Sequence, residues 1–189
     1  MPARLRNAAE LIHALRGGAA VEFLFFWGHQ PRADGTVGKG CLSQWWPAAF
    51  TVDGRRFATV EHYMMWHKAT LFGDHDIADQ IVAAPKPQAA KALGREVGAF
   101  DDEVWEKHRY DIVVAGNLAK FGQHDDLRVF LLGTGERVLV EASPVDRIWG
   151  IGLAGDDPRA SDPARWRGAN LLGFALMDVR ATLAGSAHG

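Results

Sequence analysis

The sequence predicts a mainly helical α+β fold, a single domain with a small antiparallel sheet. Three observations predict it. Apolar residues recur at helical spacing in several stretches that begin at capping residues. Two short β-prone runs flank Asp53-Gly54, the strongest hairpin signal in the chain. The composition is 48% hydrophobic and 23% charged over 189 residues, an ordinary globular balance in a chain long enough to bury a full core.

The elements follow in order. Leu5, Ala8, Ala9, Ile12 and Leu15 share a helical face, and Gly17-Gly18 is a natural stop. Residues 1–20 are expected to be a helical extension, residues 21–183 the domain, and residues 184–189 a loose tail. The run 21–27 is apolar and aromatic and reads as a buried strand. It leads into residues 28–40, rich in Gly and carrying Arg32 and Lys39, which lack P-loop spacing and read as a surface loop. Residues 49–52 and 55–57 form the hairpin. Thr59 caps a helix over 60–72, and Asp74 caps another to about residue 84. Pro85 and Pro87 break the chain before a helix over 88–97. Asp101-Asp102 opens a long helix to residue 121, with its acids at the positive end of the dipole. Residues 125–132 are helical, 137–141 a short strand, and 169–183 the last helix. The polar connection 152–168 is longer than most, and such loops are often functional.

Charge and cysteine content exclude several classes. A formal net charge of -2 argues against strong non-specific nucleic-acid binding, which is usually carried by a basic surface. It leaves a small anionic ligand or a single modified nucleotide open. One cysteine, Cys41, rules out a disulfide framework and a cysteine-based structural zinc site. No apolar run approaches the length of a membrane span, and the N-terminal residues lack the apolar core of a signal peptide. A cytoplasmic location is expected.

Three clusters carry possible chemistry. In the helix over 60–72, Glu61, Met64, Met65 and Lys68 fall close to one face. Glu61 stands in the first turn, directly after a hairpin, where the helix N-terminus favours a carboxylate. The same pattern also suits a surface Glu that only stabilises the dipole. His62 and His67 are five apart and do not share a face as a metal pair would. The second cluster, residues 143–152, sets Asp146, Arg147 and Trp149 before Gly150 and Gly152, where backbone can approach a ligand closely. The third, residues 167–173, opens the last helix, whose free N–H groups suit a phosphate. Arg95 is a candidate phosphate clamp. Trp105, His108 and Ile112 read as core.

These pieces resemble the NADAR (NAD- and ADP-ribose-associated) domain family, in the family's order. They are Leu42-Ser43-Gln44-Trp45-Trp46-Pro47, Thr59-Val60-Glu61-His62-Tyr63-Met64-Met65 with Lys68-Ala69, Ala92-Leu93-Gly94-Arg95, and Trp105-Glu106-Lys107-His108-Arg109. Asn117-Leu118-Ala119-Lys120-Phe121, the 143–152 cluster and Gly168-Ala169-Asn170-Leu171-Leu172-Gly173 follow. The family often carries Asn where this chain has Gln44. The resemblance spans roughly residues 23–180 and implies a fold similar to the NADAR fold. It implies a metal-independent hydrolase, needing no cofactor, that cleaves the bond between a ribose C1′ and a base nitrogen. Glu61, Asp146 and Trp149 match its catalytic positions. Trp46, Tyr63, Lys68, Arg95, Gly150, Gly152 and Asn170 are the expected substrate contacts. Loop length favours ADP-ribosyl-guanine substrates, with ADP-ribosylated nucleic acid as a possible partner. Phosphorylated riboflavin-biosynthesis intermediates are the alternative, and a non-catalytic ADP-ribose or NAD-derivative binding module is the rival of another class.

Overall fold

The computed structural model describes residues 5–186, so residues 1–4 of the expected extension and 187–189 of the expected tail lie outside it. The described residues form seven α-helices, four strands and two short 3-10 helices, mainly helical and α+β as expected. They pack as two compact units: residues up to Ser43 together with those from Asp126 onward, and Gln44–Asp125.

The second unit starts with the hairpin. β2 (Phe50–Val52) and β3 (Arg55–Phe57) pair antiparallel, Phe50 opposite Phe57. Asp53 and Gly54 both take positive φ, as the tight turn requires. α2 (Val60–Leu71) follows, capped by Thr59, whose hydroxyl accepts the N–H of His62. α3 (His75–Ala83) is capped by Asp74, and α5 (Asp102–Gln123) by Asp101. α4 spans Pro87–Leu93, shorter than expected and starting earlier. Pro87 occupies the first turn, where its missing N–H costs nothing, and Gly94 ends the helix. α3, α4 and α5 all pack on α2. Val60 to Met65 are therefore buried without a break, and α2 is enclosed rather than one-sided. Phe50, Phe57, Val60 and Tyr63 form one core cluster of the unit. The Gln123 carboxamide closes the free edge of β2, donating to Thr51 O (2.8 Å) and accepting from Thr51 N–H (2.9 Å).

In the first unit, α1 (Ala8–Arg16) precedes β1 (Phe23–Phe26), and α6 (Asp125–Leu132) precedes β4 (Val138–Glu141) and α7 (Leu171–Ser186). β1 pairs with β4 in parallel, Phe23 opposite Val138 and Phe26 opposite Glu141. The expected antiparallel sheet is thus the hairpin alone. The other two strands are too far apart in sequence for a hairpin, and a crossover brings them together in parallel. α7 runs to Ser186, so residues 184–186 of the expected loose tail are helical. Residues 39–42 form a 3-10 helix that buries Cys41 completely. The connection 152–168 folds on itself. Trp166 Nε1 donates to Ala160 O (2.7 Å), Leu153 and Ala160 are buried, and Arg159 forks onto Asp157. That guanidinium, with the Arg159 N–H, holds the Asp157 carboxyl well below the usual range.

Candidate active site

The hairpin and the Thr59 cap place Glu61 in the first turn of α2, where it is 2% exposed. Its N–H donates to Gln44 O (3.0 Å), which ties the 42–47 segment to the helix start. A carboxylate so removed from water is held by its surroundings and favoured by the helix dipole. The surface role that the pattern also allowed does not fit that burial.

The neighbouring residues are fixed as firmly. His62 Nε2 donates to Ala84 O (3.1 Å), and in the neutral ring, which burial favours, Nδ1 accepts from the Thr59 hydroxyl (2.8 Å). Burial lowers the pKa of His62, and of His67, whose ring stands edge-on to Tyr63 at 4.3 Å. The unfolded chain takes up these protons below the ordinary value of 6.5, whereas the folded chain resists them. Their contribution to stability is therefore present above 6.5 and is lost as the pH falls below it. Thermal melts from about pH 7.5 to about pH 5.5 should show this loss, and His62→Gln should flatten it. An unchanged slope in that variant would remove His62 from the account.

Lys68 lies on the Glu61 face, but its ammonium donates to Gly94 O (2.7 Å) and sits 4.0 Å from the centre of the Phe100 ring. Burial lowers its pKa, against the pull of Asp102. Arg95, just past the end of α4, is exposed. Trp46 is half-buried. Tyr63 is packed among Phe50, Phe57 and His67, and burial, then the charge of Asp53, raises its pKa. Glu61, Trp46, Tyr63, Lys68 and Arg95 all belong to this unit. His67, Thr70, Leu71, His108 and Ile112 line an open cleft of about 320 Å³ in it, and none of them is an expected site residue.

The other expected residues belong to the first unit. Asp146 Oδ1 accepts the N–H groups of Ile148 (2.9 Å) and Trp149 (2.8 Å), and its own N–H donates to Ser143 Oγ (3.2 Å). The carboxylate thus organises the loop that carries Trp149, which is buried. Gly150 lies against Glu141 O, where a side chain would have no room, and Gly152 takes positive φ. Asn170 is fully buried at a φ of 54°. Its carboxamide accepts from Glu141 N–H and donates to Leu139 O, both at 2.9 Å, as a neighbouring strand would. Its engagement is with β4.

The residues that reading the sequence missed are polar groups in the interior. Gln44, Asn117 and Lys120 are buried in the second unit. All three stand in segments that carry the family resemblance, which was the available signal. Among the described residues, no group of three or more His, Cys, Asp or Glu side chains is placed to hold a metal ion, and no helix is long and apolar enough to cross a membrane.

Fold and side chains together define an α+β protein that keeps a carboxylate in a dry helix start and an acid-and-tryptophan loop built for close backbone approach. The NADAR domain family model matches residues 25–184. An N-glycosidase of Acanthamoeba polyphaga mimivirus is 42% identical over 164 residues, 84% of this chain and 95% of the relative. The N-glycosidase YbiA of Escherichia coli is 33% identical over 139 residues, 74% of this chain and 77% of the relative. The NMR structure of the E. coli protein YbiA superposes with a TM-score of 0.69 at 27% identity, covering 94% of this chain and 95% of that one. The chain belongs to the NADAR domain family, and one family domain runs through both units.

Proposed function

We propose that this protein hydrolyses the N-glycosidic bond between a ribose C1′ and a base nitrogen, with Glu61 as the carboxylate at the anomeric carbon. The observation that carries the reading is Glu61 itself, 2% exposed in the first turn of α2, in a chain with relatives named as N-glycosidases. Breaking the C–N bond builds positive charge on the sugar. A fixed, poorly hydrated carboxylate stabilises that charge and takes a proton from the water that attacks C1′, while the departing nitrogen gains a proton, so the products are the free ribose and the neutral base. Asp146, with Oδ1 held by two loop N–H groups, keeps the loop of Trp149 in place within the first unit. Arg95 takes the phosphate, and Lys68 steadies the end of α4 through Gly94. Trp46 is a substrate contact, and Tyr63 supports α2 from the core. Gly150 and Gly152 admit the backbone, and Asn170 holds β4 and the start of α7. The chemistry needs no metal.

The expectation of an ADP-ribosyl-guanine substrate rested on the length of two loops. One of them, 152–168, is stapled to itself, so its length does not speak for a larger pocket. This favours the smaller class, a phosphorylated riboflavin-biosynthesis intermediate. Incubation with a phosphoribosylaminopyrimidine, and separately with ADP-ribosyl-guanine DNA, followed by chromatography of the released base, tests the reading. Release from the pyrimidine, undiminished by a chelator, is the expected result. Release from the DNA alone would reverse the substrate assignment. ADP-ribose binding by calorimetry without any release would make the protein a binding module.

A further inference from the structure

Gln44 is 5% exposed, yet among the described residues its carboxamide makes no hydrogen bond, and its Oε1 is wholly buried. Buried amide oxygens are nearly always paired, because leaving one without a donor forfeits its hydration for nothing. Asn117 Oδ1 is also buried without a donor, but the other end of that amide donates to Val113 O (2.9 Å) and so serves α5. Neither end of the Gln44 amide serves the fold. Its main chain does: Gln44 O accepts the N–H of Glu61 at 3.0 Å. Residue 44 is therefore fixed against the first turn of α2, backbone to backbone with the proposed catalytic carboxylate. It brings an acceptor that adds no second charge there.

We propose that Gln44 binds and positions the ribose, its Oε1 accepting a hydrogen bond from the 2′-hydroxyl. The inference rests on the N-glycosidase reading above. The 2′-hydroxyl is the sugar donor adjacent to C1′, the atom assigned to Glu61. As the C–N bond ionises, the growing charge at C1′ draws density from the 2′-oxygen. An acceptor on that hydroxyl returns some of it, so the bond strengthens toward the transition state. Gln44 then sets a preference for ribose over 2′-deoxyribose.

The test uses Gln44→Met, similar in length and shape but without the acceptor. It is assayed on the phosphoribosylaminopyrimidine and on its 2′-deoxy counterpart, beside wild type. The wild type should prefer the ribosyl substrate, and the variant should lose about tenfold or more in kcat on it, with KM little changed and the deoxy substrate nearly unaffected. Its melting temperature should hold or rise, because an unpaired buried amide is replaced by an apolar chain. An equal loss on both substrates, no loss, or a fallen melting temperature would overturn the proposal while leaving the N-glycosidase reading intact. A wild type that releases base from neither substrate nor from ADP-ribosyl-guanine DNA would overturn both.

Discussion

Glu61→Gln is expected to reduce base release by about 10³-fold or more while leaving fold and ligand affinity near wild type. The substitution keeps the volume and shape of a side chain that is 2% exposed, so the packing of α2 against α3, α4 and α5 has no reason to change. What it removes is the negative charge. A neutral amide neither stabilises a cationic sugar nor takes a proton from water. Burying an amide also costs less than burying a carboxylate, so the melting temperature should stay level or rise. Three measurements decide the matter: the rate by chromatography, the melt by circular dichroism, and the affinity for a non-hydrolysable ribosyl analogue by calorimetry. If the variant keeps more than about a tenth of the wild-type rate, Glu61 is not the central catalyst. If the melt collapses instead, the residue is structural.

Gly173→Ala should lower stability strongly for the addition of a single methyl group. α7 lies directly on β4. A Cβ at 173 would run into Leu139 O and lie 2.5 and 2.7 Å from the Asn170 carboxamide nitrogen and oxygen. Those are the atoms that hold β4, through two bonds of 2.9 Å, so neither side can yield without breaking them. In an open helix the same change gains about 1 kcal/mol, because alanine is the better helix former. Here overpacking against backbone should outweigh that gain and cost about 3 kcal/mol or more. For a chain of this size that lowers the melting temperature by roughly 6 to 12 °C. Gly185→Ala is the control: it lies in the same helix with nothing within 4 Å of the added carbon. A neutral or stabilising outcome at 173 would show that α7 stands off β4 further than described.

Much of the local structure was legible in the sequence. Thr59, Asp74 and Asp101 cap the helices they precede, and Asp53-Gly54 makes the hairpin turn. Each of these is an interaction within about four residues, so neighbouring letters contain both partners. Two of the differences in extent, at the starts of α4 and α7, have local causes that were present but underweighted. Pro87 starts α4 rather than blocking it, and Asn170 delays the start of α7 by taking positive φ. The family also lay within reach of sequence, because seven short segments in a fixed order are more specific than any one of them.

The state of the side chains was decided by tertiary structure. The spacing of Glu61, Met64, Met65 and Lys68 defines a helix face but not what covers it. Only the packing of three helices around α2 turns that face inward and takes Glu61 out of water. Lys68 shares the face, yet Gly94 O and Phe100 claim its ammonium, and both lie at least 26 residues away. Asn170 finds its partners on β4, 29 and 31 residues distant. By itself the sequence determined the helices, the hairpin and the kinship, because caps, turns and motif order are short-range chemistry. The parallel strand pair, the dryness of Glu61 and the idle amide of Gln44 were decided only when remote segments packed, since burial and hydrogen-bond partnership belong to neighbours in space.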